Sequence, residues 1–288
     1  MPMSQIRTAF YETPRMTFHC RIHGDEDGLP MLLLHGSFAS SRWWEPFLNI
    51  LPNEILAVAP DLRGCGQSDK SETGYAIEEQ AEDVWALVQA LEWDEFDLVG
   101  HSSGGAIAME FALQHMERLH SLILVDSAPA EGVFTPVDAY VLLERMKTDP
   151  ELLREGLKVL MPTWHDDEGD PERRRFLDQL VADAQQMAPA AFTAIADALG
   201  RWNRFHEVRH LTLPTLLIWG DQDEIVDRDA TTRTLIAIPG AANLEILRQV
   251  GHSPMIEAPV ALAERMIDFI TDEFEEYEAI REMAEEEE

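Results

Sequence analysis

Apolar residues in this chain fall into short, nearly unbroken runs that are bounded by turn-forming residues. Such runs are typical of strands that are buried on both faces, as in parallel sheets. A looser alternation over Thr17–Ile22 predicts an edge strand instead. Further strands are predicted from the apolar runs, and Met31–Leu34 is the one expected to be buried on both faces. The predicted strands are Met31–Leu34, Ile55–Ala59, Phe96–Val99, Leu122–Val125, Thr215–Trp219 and Asn243–Leu247.

Segments that favour helices separate these runs. Apolar residues recur at helical spacing over Ile77–Leu91, and small residues favour a helix that follows Ser102 and ends near His115. A closing helix is predicted to begin near Pro259. Strands that alternate with helices in this way predict an α/β fold with a mostly parallel, doubly wound sheet and helices on both faces.

The alternation of strands and helices lapses between residues 131 and 210. Helical patterns there are broken by prolines, and no convincing strand is present. An insertion that leaves after one strand and returns before the next predicts a helical cap, or lid, over the carboxyl edge of the sheet. We therefore expect residues 1–130 and 211–288 to form the core domain and residues 131–210 to form the cap.

The segment Gly100-His101-Ser102-Ser103-Gly104 has the spacing Gly-x-Ser-x-Gly between a predicted strand and a predicted helix. A chain that turns from strand to helix this sharply strains the central residue and exposes its side chain. The pattern cannot be centred on Ser103, because position 101 would then have to be glycine. Ser102 is the candidate nucleophile; the alternative is an ordinary glycine-rich turn.

A serine nucleophile needs a base, and the base needs an orienting carboxylate. His252 lies in a glycine-containing loop just after the last predicted strand, and is therefore the candidate general base. Asp223, beyond the turn that follows the Thr215–Trp219 strand, is the candidate acid. Asp221 and Asp126 are the alternatives, although Asp221 is better placed to bind nearby amides and Asp126 to cap a strand end.

An oxyanion hole needs two backbone amides that point at the reacting carbonyl. The first is predicted to be that of Ser103, at the start of the helix after the nucleophile. The second is predicted to be that of Ser37, in the loop after the Met31–Leu34 strand, with Phe38 as the alternative. His35 is expected to order this loop rather than to take part in the chemistry.

Composition narrows the possible partners. The formal charge of −32 argues against nucleic acids and anionic membranes, since both require basic patches. Cys20 and Cys65 lie far apart and in no metal-ligand spacing, so neither a disulfide framework nor a zinc site is predicted. No cofactor and no metal are expected. The N-terminus lacks the apolar core of a signal peptide, and no run is long enough to span a membrane. We expect a cytoplasmic protein whose acidic C-terminal tail favours solubility.

Several motifs together resemble those of the α/β-hydrolase family. The segments that carry the resemblance are His35-Gly36, Asp61-Leu62-Arg63-Gly64-Cys65-Gly66-Gln67-Ser68, Gly100-His101-Ser102-Ser103-Gly104-Gly105, Gly220-Asp221-Gln222-Asp223 and Gly251-His252-Ser253-Pro254. More narrowly, they are similar to capped esterases, lactonases and perhydrolase-like members. The resemblance implies an acyl-enzyme hydrolase with a helical cap. Cys65, where many relatives carry histidine, is interpreted as a structural variation.

The same resemblance bears on competing activities. Dehalogenases and epoxide hydrolases of this family carry aspartate where this chain has Ser102. Carbon–carbon bond hydrolases usually have a glycine- and proline-rich loop where this chain has Ser37-Phe38-Ala39-Ser40. Perhydrolysis, a lyase reaction with the same triad, and a small-ligand receptor on this fold remain open.

The cap is expected to set the specificity. A negative overall field slows the arrival of anions, so a neutral ester or lactone of modest polarity is the predicted substrate. For the candidate pocket residues within the cap, the alternative is packing within the cap. The candidate pocket walls are Phe38, Phe134, Met161 and Trp164, with Trp202 and Phe205 further along the cap.

Overall fold

A computed structural model of the chain describes residues 6–165 and 170–271. Its centre is an eight-stranded sheet with the strand order β1-β2-β4-β3-β5-β6-β7-β8. Strand β2 is antiparallel to β1 and β4, and the remaining neighbours are parallel. The strands are β1 (Arg7–Glu12), β2 (Thr17–His23), β3 (Leu29–Leu34), β4 (Ile55–Pro60), β5 (Phe96–His101), β6 (Leu119–Val125), β7 (Thr215–Gly220) and β8 (Ala241–Leu247).

Helices follow most of the parallel strands. Helix α10, over residues 259–271, closes the described chain. The others are α1 (Glu45–Leu48), α2 (Ile77–Leu91), α3 (Ser103–His115), α4 (Val137–Met146), α5 (Pro150–Val159), α6 (Pro171–Gln185), α7 (Ala191–Arg201), α8 (Arg228–Ala237) and α9 (Pro254–Glu257). None of the helices within residues 6–165 and 170–271 has the length and hydropathy needed to cross a bilayer.

The apolar strands bury both of their faces, as their composition predicts. Met31 and Leu33 of β3 belong to one apolar core, whereas Leu32 and Leu34 belong to the other. This division follows from the period of two in a strand, which sends successive side chains to opposite faces. A sheet covered on both sides presents its carboxyl edge to the loops, and that edge is where the candidate site residues lie.

The six strands predicted from apolar runs and the helix over Ile77–Leu91 are confirmed, although Asn243–Leu247 lies in β8 at one edge of the sheet. The strand predicted to be at an edge is not at one. Strand β1 pairs with β2 along its whole length, so Thr17–His23 lies inside the sheet. The sequence pattern misses β1 because none of its residues is fully buried and its Phe10 is 60% exposed, so it shows neither an apolar run nor a clear alternation. Helix α8 is missed for a related reason: its buried face consists of alanine and threonine, so it has no apolar stripe.

Residues 131–210, called the inserted segment below, contain helices α4 to α7 between β6 and β7. One attachment to the core is Asp183, which accepts hydrogen bonds from Ser40 Oγ and Arg42 Nε, both at 2.8 Å. Another is Glu110 of α3, which accepts bonds from Trp202 Nε1 at 2.9 Å and Arg204 Nε at 2.8 Å. The assignment of the inserted segment as a separate cap domain is a prediction from the sequence. Most of the acidic tail lies outside the described residues.

Candidate active site

Ser102 occupies the turn between β5, which ends at His101, and α3, which begins at Ser103. Its backbone has φ 53° and ψ −124°, a strained conformation for a residue with a side chain. Three hydrogen bonds hold it there. The Ser102 amide donates to the Val125 carbonyl at 3.1 Å, and the Ser102 carbonyl accepts from the amides of Gly105 and Ala128, each at 2.9 Å. The strain is thus imposed by the surrounding structure.

Glycine at position 100 is required by the close approach of β5 to α3. A Cβ atom there would lie 2.6 Å from the carbonyl oxygen of Gly104 and 2.6 Å from the Cα of Gly105. Both contacts are far shorter than van der Waals distance and involve backbone atoms that cannot move aside. This explains why the Gly-x-Ser-x-Gly spacing accompanies so sharp a turn.

The loop after β3 passes directly against Ser102. A Cβ atom built on Gly36 would lie 2.7 Å from Ser102 Cβ, and the Ser37 hydroxyl donates to Ser103 Oγ at 3.1 Å. Among the described residues, neither the Ser37 amide nor the Ser103 amide donates a hydrogen bond. The first amide of a helix has no partner inside the helix, so the Ser103 amide is available to a ligand.

His252 and Asp223 form a buried pair at the same edge of the sheet. The distance between His252 Nδ1 and Asp223 Oδ2 is 2.8 Å, and both side chains are almost fully buried. The other Asp223 oxygen accepts the amides of Ile225 at 2.7 Å and Val226 at 3.1 Å. Burial raises the pKa of Asp223, but these hydrogen bonds outweigh it and hold the pKa below its ordinary value.

The other two candidate acids, Asp221 and Asp126, bind backbone amides instead of His252. Asp221 accepts the Gln249 amide at 2.6 Å, whereas Asp223 is the carboxylate bonded to the imidazole. Asp126 is fully buried beside Asp223, and its Oδ1 accepts the Gly220 amide at 2.9 Å. Ser102 Oγ makes no hydrogen bond within residues 6–165 and 170–271, so its pairing with His252 belongs to the proposal below.

Two further histidines brace the site. His35 Nδ1 hydrogen-bonds the carbonyl of Gly36 at 2.8 Å, and its Nε2 accepts the Leu62 amide at 3.0 Å, which is the ordering role predicted for it. His101 Nε2 donates to the backbone carbonyl of His252 at 2.7 Å. Burial, with His252 close by, lowers the pKa of His101 to about 3, so its ring is neutral at physiological pH.

Glu257 of α9 is a site residue that sequence reasoning misses. Its Oε1 accepts the Ser253 amide at 2.8 Å, and its Oε2 accepts the Gly251 amide at 3.1 Å, so it holds the loop on both sides of His252. Its Oε2 also accepts the amide of Thr163, in the inserted segment, at 2.9 Å. The sequence does contain a signal for this role: Glu257 lies one helical turn after Pro254, where a carboxylate can reach the backbone amides that precede the helix.

The predicted pocket residues differ in burial and in the rings they contact. Met161 is buried, and Phe38 packs against Phe192 of α7 with ring centroids 5.7 Å apart. Trp164 lies against Phe176 at 6.1 Å. Phe134 is 85% exposed, so the prediction that it walls a pocket is wrong. An aromatic residue in a loop before a surface helix need not be buried.

Trp202 lies in the apolar core on the α2 and α3 face of the sheet, and Phe205 is half-buried against that core. They therefore belong to the attachment of the inserted segment to the core, and not to packing within the cap, which the alternative interpretation predicts.

Within the described part of the chain, one cluster of potential metal ligands is present: Asp126, Asp223 and His252. The contacts of this cluster do not favour a cation. His252 Nδ1 is engaged with Asp223, and backbone amides occupy further carboxylate lone pairs. The bond between His252 and Asp223 is suited to orienting an imidazole and stabilising its positive charge.

Comparisons with known proteins identify the family. The model of the Alpha/beta hydrolase family matches residues 31–265, and the chain belongs to that family. The chain is 31% identical over 270 residues to an uncharacterized protein of Mycobacterium tuberculosis, covering 84% of this chain and 76% of that protein. It is 28% identical over 280 residues to the 2-hydroxymuconate semialdehyde hydrolase of a Pseudomonas species, covering 87% and 90% of the two chains.

Among solved structures, an esterase from Exiguobacterium antarcticum superposes with a TM-score of 0.79 and 25% identity. The superposition covers 92% of this chain and all of that one. The fold is therefore that of α/β hydrolases, and hydrolase activity is supported by the family.

Proposed function

We propose that this protein is a serine hydrolase that cleaves neutral carboxylic esters or lactones through an acyl-enzyme intermediate. Ser102 is the nucleophile, His252 the general base and Asp223 the orienting acid. The amides of Ser37 and Ser103 bind the oxyanion. The observation that carries this proposal is the buried 2.8 Å pair between His252 and Asp223, at the edge of the sheet where the strained turn exposes Ser102.

The reaction follows from these positions. His252 Nε2 removes the proton of the Ser102 hydroxyl as Oγ attacks the ester carbonyl, and negative charge moves to the carbonyl oxygen. The amides of Ser37 and Ser103 stabilise that charge. The imidazolium then gives its proton to the leaving alcohol, which leaves an acyl group on Ser102. Water, activated by His252, repeats the sequence and releases the acid.

The Asp223 carboxylate keeps the imidazole in the required tautomer. Because it accepts from Nδ1, the lone pair of Nε2 is left free for the serine proton. Asp223 also stabilises the positive charge that forms on His252. A negatively charged protein repels anions at long range, which supports a neutral substrate.

The direct test is covalent labelling combined with a substrate panel. A fluorophosphonate should modify the purified protein once, and mass spectrometry should place the adduct on Ser102. Esters and lactones should be turned over repeatedly, and a 2-hydroxymuconate semialdehyde should not. Addition of hydrogen peroxide or of a cyanohydrin tests perhydrolysis and lyase chemistry. Binding with no more than a single turnover on any substrate would favour a receptor and reject the proposal.

Gly36→Ala is expected to lower kcat/KM by about 100-fold or more, because misplacing a reacting group by about 1 Å has this effect. The added methyl would press on Ser102 Cβ at 2.7 Å and Oγ at 3.2 Å. The measurement is ester hydrolysis alongside the melting temperature.

Gly200→Ala in α7 is the matched control for that experiment. The nearest atom to its new methyl lies 3.5 Å away, an ordinary contact, and alanine favours a helix. Activity should stay within about twofold of wild type and Tm should not fall. A Gly36→Ala protein as active as this control would show that the loop does not set the position of Ser102.

A further inference from the structure

Asp126 is a second carboxyl group beside the proposed triad, and the reaction above gives it no role. It follows β6, is fully buried and has φ 41°. Its Oδ1 accepts the Gly220 amide, whereas its Oδ2 is buried and has no partner among the described residues. One oxygen of Asp126, one oxygen of Asp223 and one ring nitrogen of His252 lie within 4.8 Å of one another.

Two ionised carboxylates in this position would face each other as acceptors, with no donor between them. The charged or titratable groups that face Asp126 are Asp223 from the turn after β7, His252 from the loop after β8 and Glu257 from α9. Two of these three are acids, so a second negative charge would be opposed by its neighbours. Like charges buried this close are not both ionised, and one carboxyl group keeps a proton.

Hydrogen bonding decides which carboxyl group that is. Asp223 accepts three donors, namely the His252 ring and the amides of Ile225 and Val226. Within the described ranges, Asp126 accepts only the Gly220 amide. The negative charge is better stabilised on the group with more donors. Burial raises the pKa of Asp126 well above its ordinary value, and the Asp223 charge raises it further.

We propose that Asp126 is a positioning residue that stays protonated and donates a hydrogen bond from its Oδ2 to the Asp223 carboxylate. A carboxylate has about four lone-pair sites, and this bond would fill the one that the protein leaves open on Asp223. A fully hydrogen-bonded Asp223 cannot rotate away from His252, and it is a weaker base, so the proton stays on the imidazolium. The effect on the reaction rests on the function proposed above, whereas the protonation state does not.

The first test uses stability, which is independent of activity. The unfolded chain releases this proton at about pH 4, whereas the folded protein keeps it, so folding binds a proton above that pH. Stability is therefore lost as pH rises towards the raised pKa of Asp126. Asparagine cannot ionise, tolerates positive φ and can also donate to Asp223. The Tm of Asp126→Asn minus that of wild type should grow by about 3 °C per pH unit between pH 5 and 7.

The second test observes the proton itself. Difference infrared spectra at pH 7 should show a protonated-carboxyl C=O band in wild type that is absent from Asp126→Asn. Ester hydrolysis by Asp126→Asn should stay within about tenfold of wild type, whereas Asp126→Leu, which cannot donate, should lose more than about tenfold. If Asp126→Asn does not fold, Asp126→Ser, whose hydroxyl also donates, replaces it and should likewise lack the band.

The outcomes separate this proposal from the function proposed above. An unchanged infrared spectrum, or a Tm difference that does not vary with pH, overturns the protonated carboxyl whatever the activity. If Asp126→Asn loses the band but Ser102→Ala has unchanged activity, the protonated carboxyl is upheld and the triad is rejected. Asp126→Asn activity that falls as far as that of Asp223→Asn would make Asp126 an ionised acid of the site.

Discussion

Ser102→Ala is expected to lower kcat for an activated ester by at least about three orders of magnitude, and by as many as about six. Alanine removes the hydroxyl that the turn between β5 and α3 presents beside the Ser37 and Ser103 amides. The oxyanion hole and the pocket would remain, so a small residual rate above the reaction in water is expected. The measurement is the initial rate with a p-nitrophenyl acyl ester at saturating substrate, together with fluorophosphonate labelling.

The control for that experiment is Ser71→Ala. Ser71 lies in the loop before α2 and accepts a hydrogen bond from Arg63 Nη1 at 2.9 Å, so it is a serine in a structural setting. Its replacement should leave kcat within about twofold, since a substitution away from the candidate active site has little effect on the reaction. Labelling that persists in Ser102→Ala, or a rate equal to that of Ser71→Ala, would show that another residue is the nucleophile.

The elements that position the site were predictable because their signal is local. An unbroken apolar run such as Met31–Leu34 identifies a doubly buried strand, and Gly100 with Gly104 marks the turn around Ser102. Once the strands are parallel, their carboxyl ends meet at one edge, so the loops that carry Asp223 and His252 had to converge. Strand β1 was missed because none of its residues is fully buried, so it contains no unbroken apolar run.

The residues that brace the site were not predictable, because their partners are distant in the chain. Glu257 binds the amide of Thr163 across 94 positions, and Asp126 binds that of Gly220 across the same separation. Neither contact produces a repeating pattern of apolar and polar residues that could be recognised in the sequence. The same limit explains Phe134: hydrophobicity alone does not say whether an aromatic residue in an inserted helical segment faces the core or the solvent.

Asp223→Asn is expected to lower kcat by about 10³- to 10⁴-fold with little change in KM. The amide carries no charge to stabilise the imidazolium, and its NH₂ group can turn towards His252 Nδ1 and favour the wrong tautomer. The Ile225 and Val226 amides would still hold the side-chain oxygen, so the fold and the pocket are retained. Steady-state kinetics over a range of pH, with Tm recorded for the same protein, measures this effect.

Asp221→Asn is the matched control, because Asp221 lies on the same turn but binds the Gln249 amide instead of His252. Its kcat should stay within about fivefold of wild type, since asparagine keeps an acceptor for that amide. If Asp221→Asn or Asp126→Asn proved more damaging than Asp223→Asn, Asp223 would not be the acid of the triad. The 2.8 Å bond from His252 Nδ1 would then hold the ring in place without supplying the charge that catalysis requires.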